Sequence, residues 1–166
     1  MAGEPTPSQT VGPFFGFALP FAGDHAAAEQ GAPGSVRIEG QVRDGEGAPV
    51  PDALIEVWQD DSFGRCRTDP EGAFSFVVRK PGPVGGAGGR VQAPHLHVNV
   101  FARGLLRHLL TRLYFPDEQA ANAGDPVLAS IEDPRARSTL VARDDGGVLR
   151  FDINLQGEQE TVFFAF

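Results

Sequence analysis

Short runs in which apolar and polar residues alternate, each closed off by Gly, Pro or Asp, limit the possible folds of this chain more than any other feature. In "SVRIEGQV", Val36, Ile38 and Val42 point one way and Arg37, Glu39 and Gln41 the other. "GAFSFVVRK" sets Phe74, Phe76 and Val78 against Ser75, Val77 and Arg79, and "HLHVNVF" sets Leu96, Val98 and Val100 against the histidines. A period of two is the period of a strand with one buried face. "ALIEVWQ", apolar on nearly both faces, reads as a central strand. "LLTRLYF", "STLVA", "VLRFDINL" and "ETVFFAF" read as further strands. "RDGEGAP" is a turn and "RDDGG" a hairpin turn. Only "PDEQAANAG" reads as a helix, with Asp117 as its cap and Gly124 at its end. The expected fold is all-β: a two-sheet sandwich of seven to eight strands with one short helix. Residues 1–35, rich in Pro, Gly and Ala, read as an extended N-terminal arm and loop, and residues 36–166 as the sandwich domain.

Composition narrows the class. A chain of 166 residues can bury about 70% of its unfolded surface in one domain. Cys66 is the only cysteine, so no internal disulfide forms, which fits a reducing compartment. The stretch "VGPFFGFALPFAG" is interrupted by Pro13, Gly16 and Pro20 and is too short to span a membrane. A soluble, cytoplasmic protein is expected. A formal net charge of -8 argues against a nucleic-acid partner. The Gly-rich loop "GPVGGAGGR" lacks the Lys-Ser/Thr ending of a phosphate loop and reads as a crossing loop.

Three features suggest chemistry. His95 and His97 share one strand face with Asn99, Phe101 and, if the strand continues, Arg103. Imidazole is a common ligand for iron, zinc and copper, but a catalytic metal usually has at least three protein ligands. His25, His108 and Cys66 offer no recognised spacing for a third, so a polar pair lining a pocket or interface is the plainer alternative. Arg103, Arg107 and Arg112, with His108, form a local basic cluster in an acidic chain. A guanidinium takes a carboxylate through two parallel hydrogen bonds. Arg103, beside the histidine face, is the candidate for a small carboxylate, and Arg107 and Arg112 read as ordinary surface arginines. Lastly, "TVGPFFGFALPF" and "TVFFAF" place large apolar groups near the ends of the chain. They either fold back on the core or cover a partner.

The blocks "TPSQTVGPFF", "LIEVWQDD", "KPGP", "APHLHVNVFARG", "TRLYFPDE" and "RFDINLQGEQETVFF" occur together and in order. In this, nearly the whole chain resembles the intradiol ring-cleaving dioxygenases, most closely the α chains of the members that cleave protocatechuate. The resemblance implies ferric iron held by two tyrosines and two histidines in the catalytic chain. It also implies ring opening of protocatechuate with O2 to 3-carboxy-cis,cis-muconate, a step in aromatic catabolism. "HLH" matches the histidine pair at His95 and His97. The tyrosines have no match. "WQDDSFGRCR" contains none and looks shortened, Val84 stands where the second would follow "KPGP", and Tyr114, the only tyrosine, lies in another block. The resemblance therefore implies a non-catalytic α chain in an (αβ)n hetero-oligomer. Its β subunit would bind the Fe(III), leaving His95 and His97 a vestigial pair. It further implies that Thr10, Gly12, Pro13 and Phe14 of the arm line the substrate pocket at the α/β interface, and that Arg103 reaches the substrate carboxylate. Two alternatives stay open: a standalone dioxygenase with an altered ligand set, and a non-catalytic transthyretin-like binding module.

Overall fold

Strands with one apolar face must close that face against another, and here two sheets do so. The computed structural model describes residues 6–165, so residues 1–5 of the expected arm and Phe166 of the last expected strand lie outside the described residues. The first sheet is built on β1 (Ser35–Arg43), which pairs antiparallel with β4 (Ala73–Arg79) along one edge. Along its other edge β1 pairs parallel with β10 (Val148–Arg150) and then with β11 (Ile153–Asn154) in unbroken register, and β10 pairs with β9 (Arg143–Asp145). The second sheet has the order β3 (Ser62–Arg67), β2 (Leu54–Gln59), β7 (His95–Phe101), β8 (Leu109–Tyr114), all antiparallel.

The inward residues are those the alternation marks. Ile38, Val42, Phe74, Phe76 and Val78 of the first sheet meet Ile55, Val57, Leu96, Val98, Val100 and Leu113 of the second in one core. β2 lies between two neighbours, the central position expected from its sequence, with Ile55 and Val57 turned into the core and Trp58 exposed on the outer face. Residues 25–28 close the open edge of β4, through Val77 N–H to the His25 carbonyl and Ala28 N–H to the Val77 carbonyl.

The structure departs from the sequence expectations at several places. "STLVA" is not a strand. Asp133 caps α4 (Pro134–Ser138) by accepting from Arg135 N–H, and only Val141 makes a bridge, to Tyr114. The Asp-Pro start signal outweighs the β-branched run. "ETVFFAF" contributes a single bridge, Phe164 to Leu110, in place of a strand. Asp117 does not cap α2 (Gln119–Gly124); it pairs with Lys80 instead. Finally, the expected single helix has company: α1 (Phe15–Ala18) forms inside the arm, and α3 (Pro126–Ser130) follows α2. The Gly-rich crossing loop holds a small hairpin, β5 (Val84–Gly85) with β6 (Val91–Gln92).

The two ends behave differently. Phe163 and Phe164 pack against the chain's own core, whereas Phe14, Phe17 and Phe21 of the arm are exposed by 75%, 74% and 61%. Among the described residues no helix is long and apolar enough to cross a membrane.

Candidate functional site

The outer face of the second sheet carries the residues of interest. Register sets Phe63, Trp58, His97 and Arg112 side by side across β3, β2, β7 and β8, and sets His95 beside Tyr114. The Trp58 and His97 rings stack at 4.2 Å with an interplanar angle of 19°. His95 is buried, and its Nδ1 lies 2.8 Å from the Ala93 carbonyl oxygen. A carbonyl only accepts, so Nδ1 carries the proton and Nε2 keeps a lone pair, for which the described residues offer no partner. Burial lowers the pKa of His95.

The pKa of His97 is pushed down to about 4, first by burial, then by His95 and Arg112. A histidine held neutral in the folded state takes its proton preferentially when unfolded. The stability it supports is therefore intact above pH 6.5 and lost as pH falls from 6.5 toward 4. Between pH 7 and 4 the wild-type chain is expected to lose about 2 kcal/mol more than His97→Gln, measured by denaturant unfolding at each pH.

These groups do not make a ferric site of the two-phenolate type. Tyr114 is fully buried, and its hydroxyl donates to Asp125 Oδ1 at 3.2 Å and accepts from Arg112 at 3.1 Å. Its pKa is raised to about 12, mainly by burial, so it is a neutral phenol committed to its neighbours. Among the described residues no group of three or more His, Cys, Asp or Glu is placed to hold a metal ion. Two imidazoles alone supply no anionic charge to match a trivalent cation.

The basic cluster of the sequence is dispersed. Arg112 turns to Gln92 and Tyr114, and Arg107 binds the Ser8 hydroxyl of the arm at 2.9 Å. His108 stacks on Phe101. Arg103 stands apart, in an open groove of about 730 Å³ lined by Pro13, Phe15, Phe17, Asp52, Arg67 and other residues. Of the five expected substrate contacts, the structure brings two, Pro13 and Arg103, into one groove. Thr10, Gly12 and Phe14 are exposed on the same arm and do not line it. The arm is seated there by Arg67, which donates to the Gly16 carbonyl and lies over the Phe17 ring. Asp52, paired with Arg103, and Arg67 are members of the groove that the sequence reasoning missed. Asp52 precedes β2 by as many residues as Arg103 follows β7, a match that only the β2–β7 register brings out.

The comparisons relate the chain to known proteins. No protein-family model matches the chain. The protocatechuate 3,4-dioxygenase alpha chain of Pseudomonas putida is 44% identical, over 97% of this chain and 96% of that one. That alignment runs over 193 positions, more than the 166 residues here, so the relative holds internal residues that this chain lacks. The segment after Gln59 fits such a loss: a two-residue turn, with Asp60 at φ 51, joins β2 directly to β3. The protocatechuate 3,4-dioxygenase beta chain of Burkholderia cepacia is 32% identical, over 84% of this chain and 66% of that one. Among solved structures, the dioxygenase domain of a dioxygenase–carbohydrate-binding fusion from Streptomyces sp. SirexAA-E superposes with a TM-score of 0.60 at 26% identity, covering 93% of this chain and 99% of that one.

Proposed function

The chain belongs to the intradiol ring-cleaving dioxygenases, and on that premise we propose that it is the α subunit of an enzyme that cleaves protocatechuate with O2 to 3-carboxy-cis,cis-muconate. A β subunit binds the Fe(III), which supplies the activation of the catechol when bound. The α chain contributes no ligand to it. The α chain holds the substrate: Arg103 takes the carboxylate, and the arm, through Thr10, Gly12, Pro13 and Phe14, closes the pocket at the α/β interface. His95 and His97 remain as a vestigial pair packed by Trp58 and Tyr114.

The observation that carries this reading is the meeting of Pro13 and Arg103 in one open groove. Arg103 is 71% exposed at its side chain, and its ion pair to Asp52 is made through Nε. Two supports come from the rest of the molecule. The only phenol in the chain is engaged by Asp125 and Arg112, so an iron-binding partner is needed. The exposed phenylalanines of the arm form the kind of apolar surface that a partner covers.

Co-expression with a β chain tests the assembly. Stoichiometric iron and oxygen uptake on protocatechuate are expected for the pair, and neither for the α chain alone. Iron bound and protocatechuate consumed by the α chain by itself would overturn the reading. In the assembled enzyme, Arg103→Ala is expected to raise KM for protocatechuate about tenfold with kcat little changed, because it removes a contact made before the chemistry. Steady-state kinetics checks this.

A further inference from the structure

We infer that Asp52 is a positioning residue that sets how strongly Arg103 takes a carboxylate; the inference rests on Arg103 being the carboxylate-binding group. Leu54 and Phe101 are partners at the end of the β2–β7 ladder, and Asp52 and Arg103 each stand two residues further out in the same register. Continued register makes such residues neighbours on one face, and Asp52 Oδ2 meets Arg103 Nε there. The Asp52 side chain is 18% exposed and that of Arg103 is 71% exposed. The carboxylate is thus set into the sheet end, while the guanidinium reaches out over the groove.

A guanidinium offers a carboxylate two edges for paired hydrogen bonds, one including Nε and one formed by the two terminal nitrogens. With Nε engaged by Asp52, the terminal edge is the one left for an incoming carboxylate. Asp52 therefore acts in two opposed ways. By pinning the planar fork it lowers the ordering cost of binding. By its charge it competes with the ligand for the same cation. The other charged groups on this groove are Arg67, held by Gly16 and Phe17, and Asp69. Neither is paired with Arg103 in the structure. A carboxylated catechol that makes the two-point contact overcomes the competition, and a ligand without a carboxylate is indifferent to it.

Asp52→Asn keeps an acceptor for Nε and removes the charge, whereas Asp52→Ala removes both. In the αβ complex, KM is measured for protocatechuate and for catechol, the latter as substrate or as competitive inhibitor. Asp52→Asn is expected to lower KM for protocatechuate roughly two- to fivefold, Asp52→Ala to raise it, and neither to move the value for catechol. Opposite shifts confined to the carboxylated compound are not produced by a residue that only supports the fold. If both Asp52 variants keep the wild-type KM for protocatechuate while Arg103→Ala raises it, the role of Asp52 is overturned and that of Arg103 stands. Equal losses on both compounds in the Asp52 variants overturn it as well. If Arg103→Ala leaves KM for protocatechuate unchanged, the carboxylate assignment itself fails.

Discussion

Gly40→Ala is expected to destabilise the chain by about 4 kcal/mol and to lower its melting temperature by roughly 10 °C. Gly40 lies in β1 where the parallel partner changes from β10 to β11. At that junction Phe151 N–H donates to the Glu39 carbonyl, and Gln41 N–H donates to Asp152 Oδ1 at 3.1 Å. The Phe151 carbonyl is thereby turned toward the Gly40 Cα. A β-carbon added there would fall 1.8 Å from that oxygen and 2.7 Å from the Phe74 ring. The oxygen is backbone, held by the ladder on both sides, and cannot step aside like a flexible side chain. Either β10 and β11 part from β1 or Phe74 leaves the core. Thermal unfolding followed by circular dichroism checks this, and a melting temperature within 2–3 °C of wild type (a change of about 1 kcal/mol) would show that the junction gives way easily.

Asp125→Ala is the second large effect, at about 3 kcal/mol. The Asp125 carboxylate is fully buried and has four donors around it. Val127 and Leu128 N–H donate to Oδ1 as the cap of α3, Ala93 N–H donates to Oδ2 at 2.8 Å, and the Tyr114 hydroxyl donates to Oδ1. Alanine would strand all of these inside a small core of Ala93, Tyr114, Leu128 and Leu140. The consequence reaches the histidine face, because Ala93 also accepts from His95 Nδ1. Asp125→Asn keeps one acceptor oxygen but turns an amide N–H₂ toward one of the donors. It is expected to recover less than half of the loss in denaturant unfolding. Full recovery would mean that charge-assisted bonding to the carboxylate is unimportant here.

Much of the sandwich was legible because alternation is local information. The inward sets of β1, β4 and β7 follow from counting by two, and the core is made of those residues. What was missed failed for identifiable reasons. "STLVA" has β-branched residues but follows an Asp-Pro helix start, and the cap decides the backbone before the pattern can. "VLRFDINL" reads as one strand, yet Phe151 and Asp152 interrupt the ladder so that Asp152 Oδ1 can serve Gln41 N–H. Asp117 has the chemistry of a cap, but Lys80, distant in sequence, claims it.

By itself, the order of residues determined the all-β class, the faces of the strands, the shared face of His95 and His97, and the absence of a second phenol. All of these depend on residue type and spacing along one chain. β7 ends at Phe101, before Arg103, so the arginine does not extend the histidine face. Only the tertiary structure decided that Tyr114 is committed to Asp125 and Arg112, that the arm brings Pro13 to Arg103, and that Asp52 lies across from that arginine. Such pairings join segments far apart in sequence. They are set by sheet register and by which buried polar group finds a partner first, and neither is written in any local stretch.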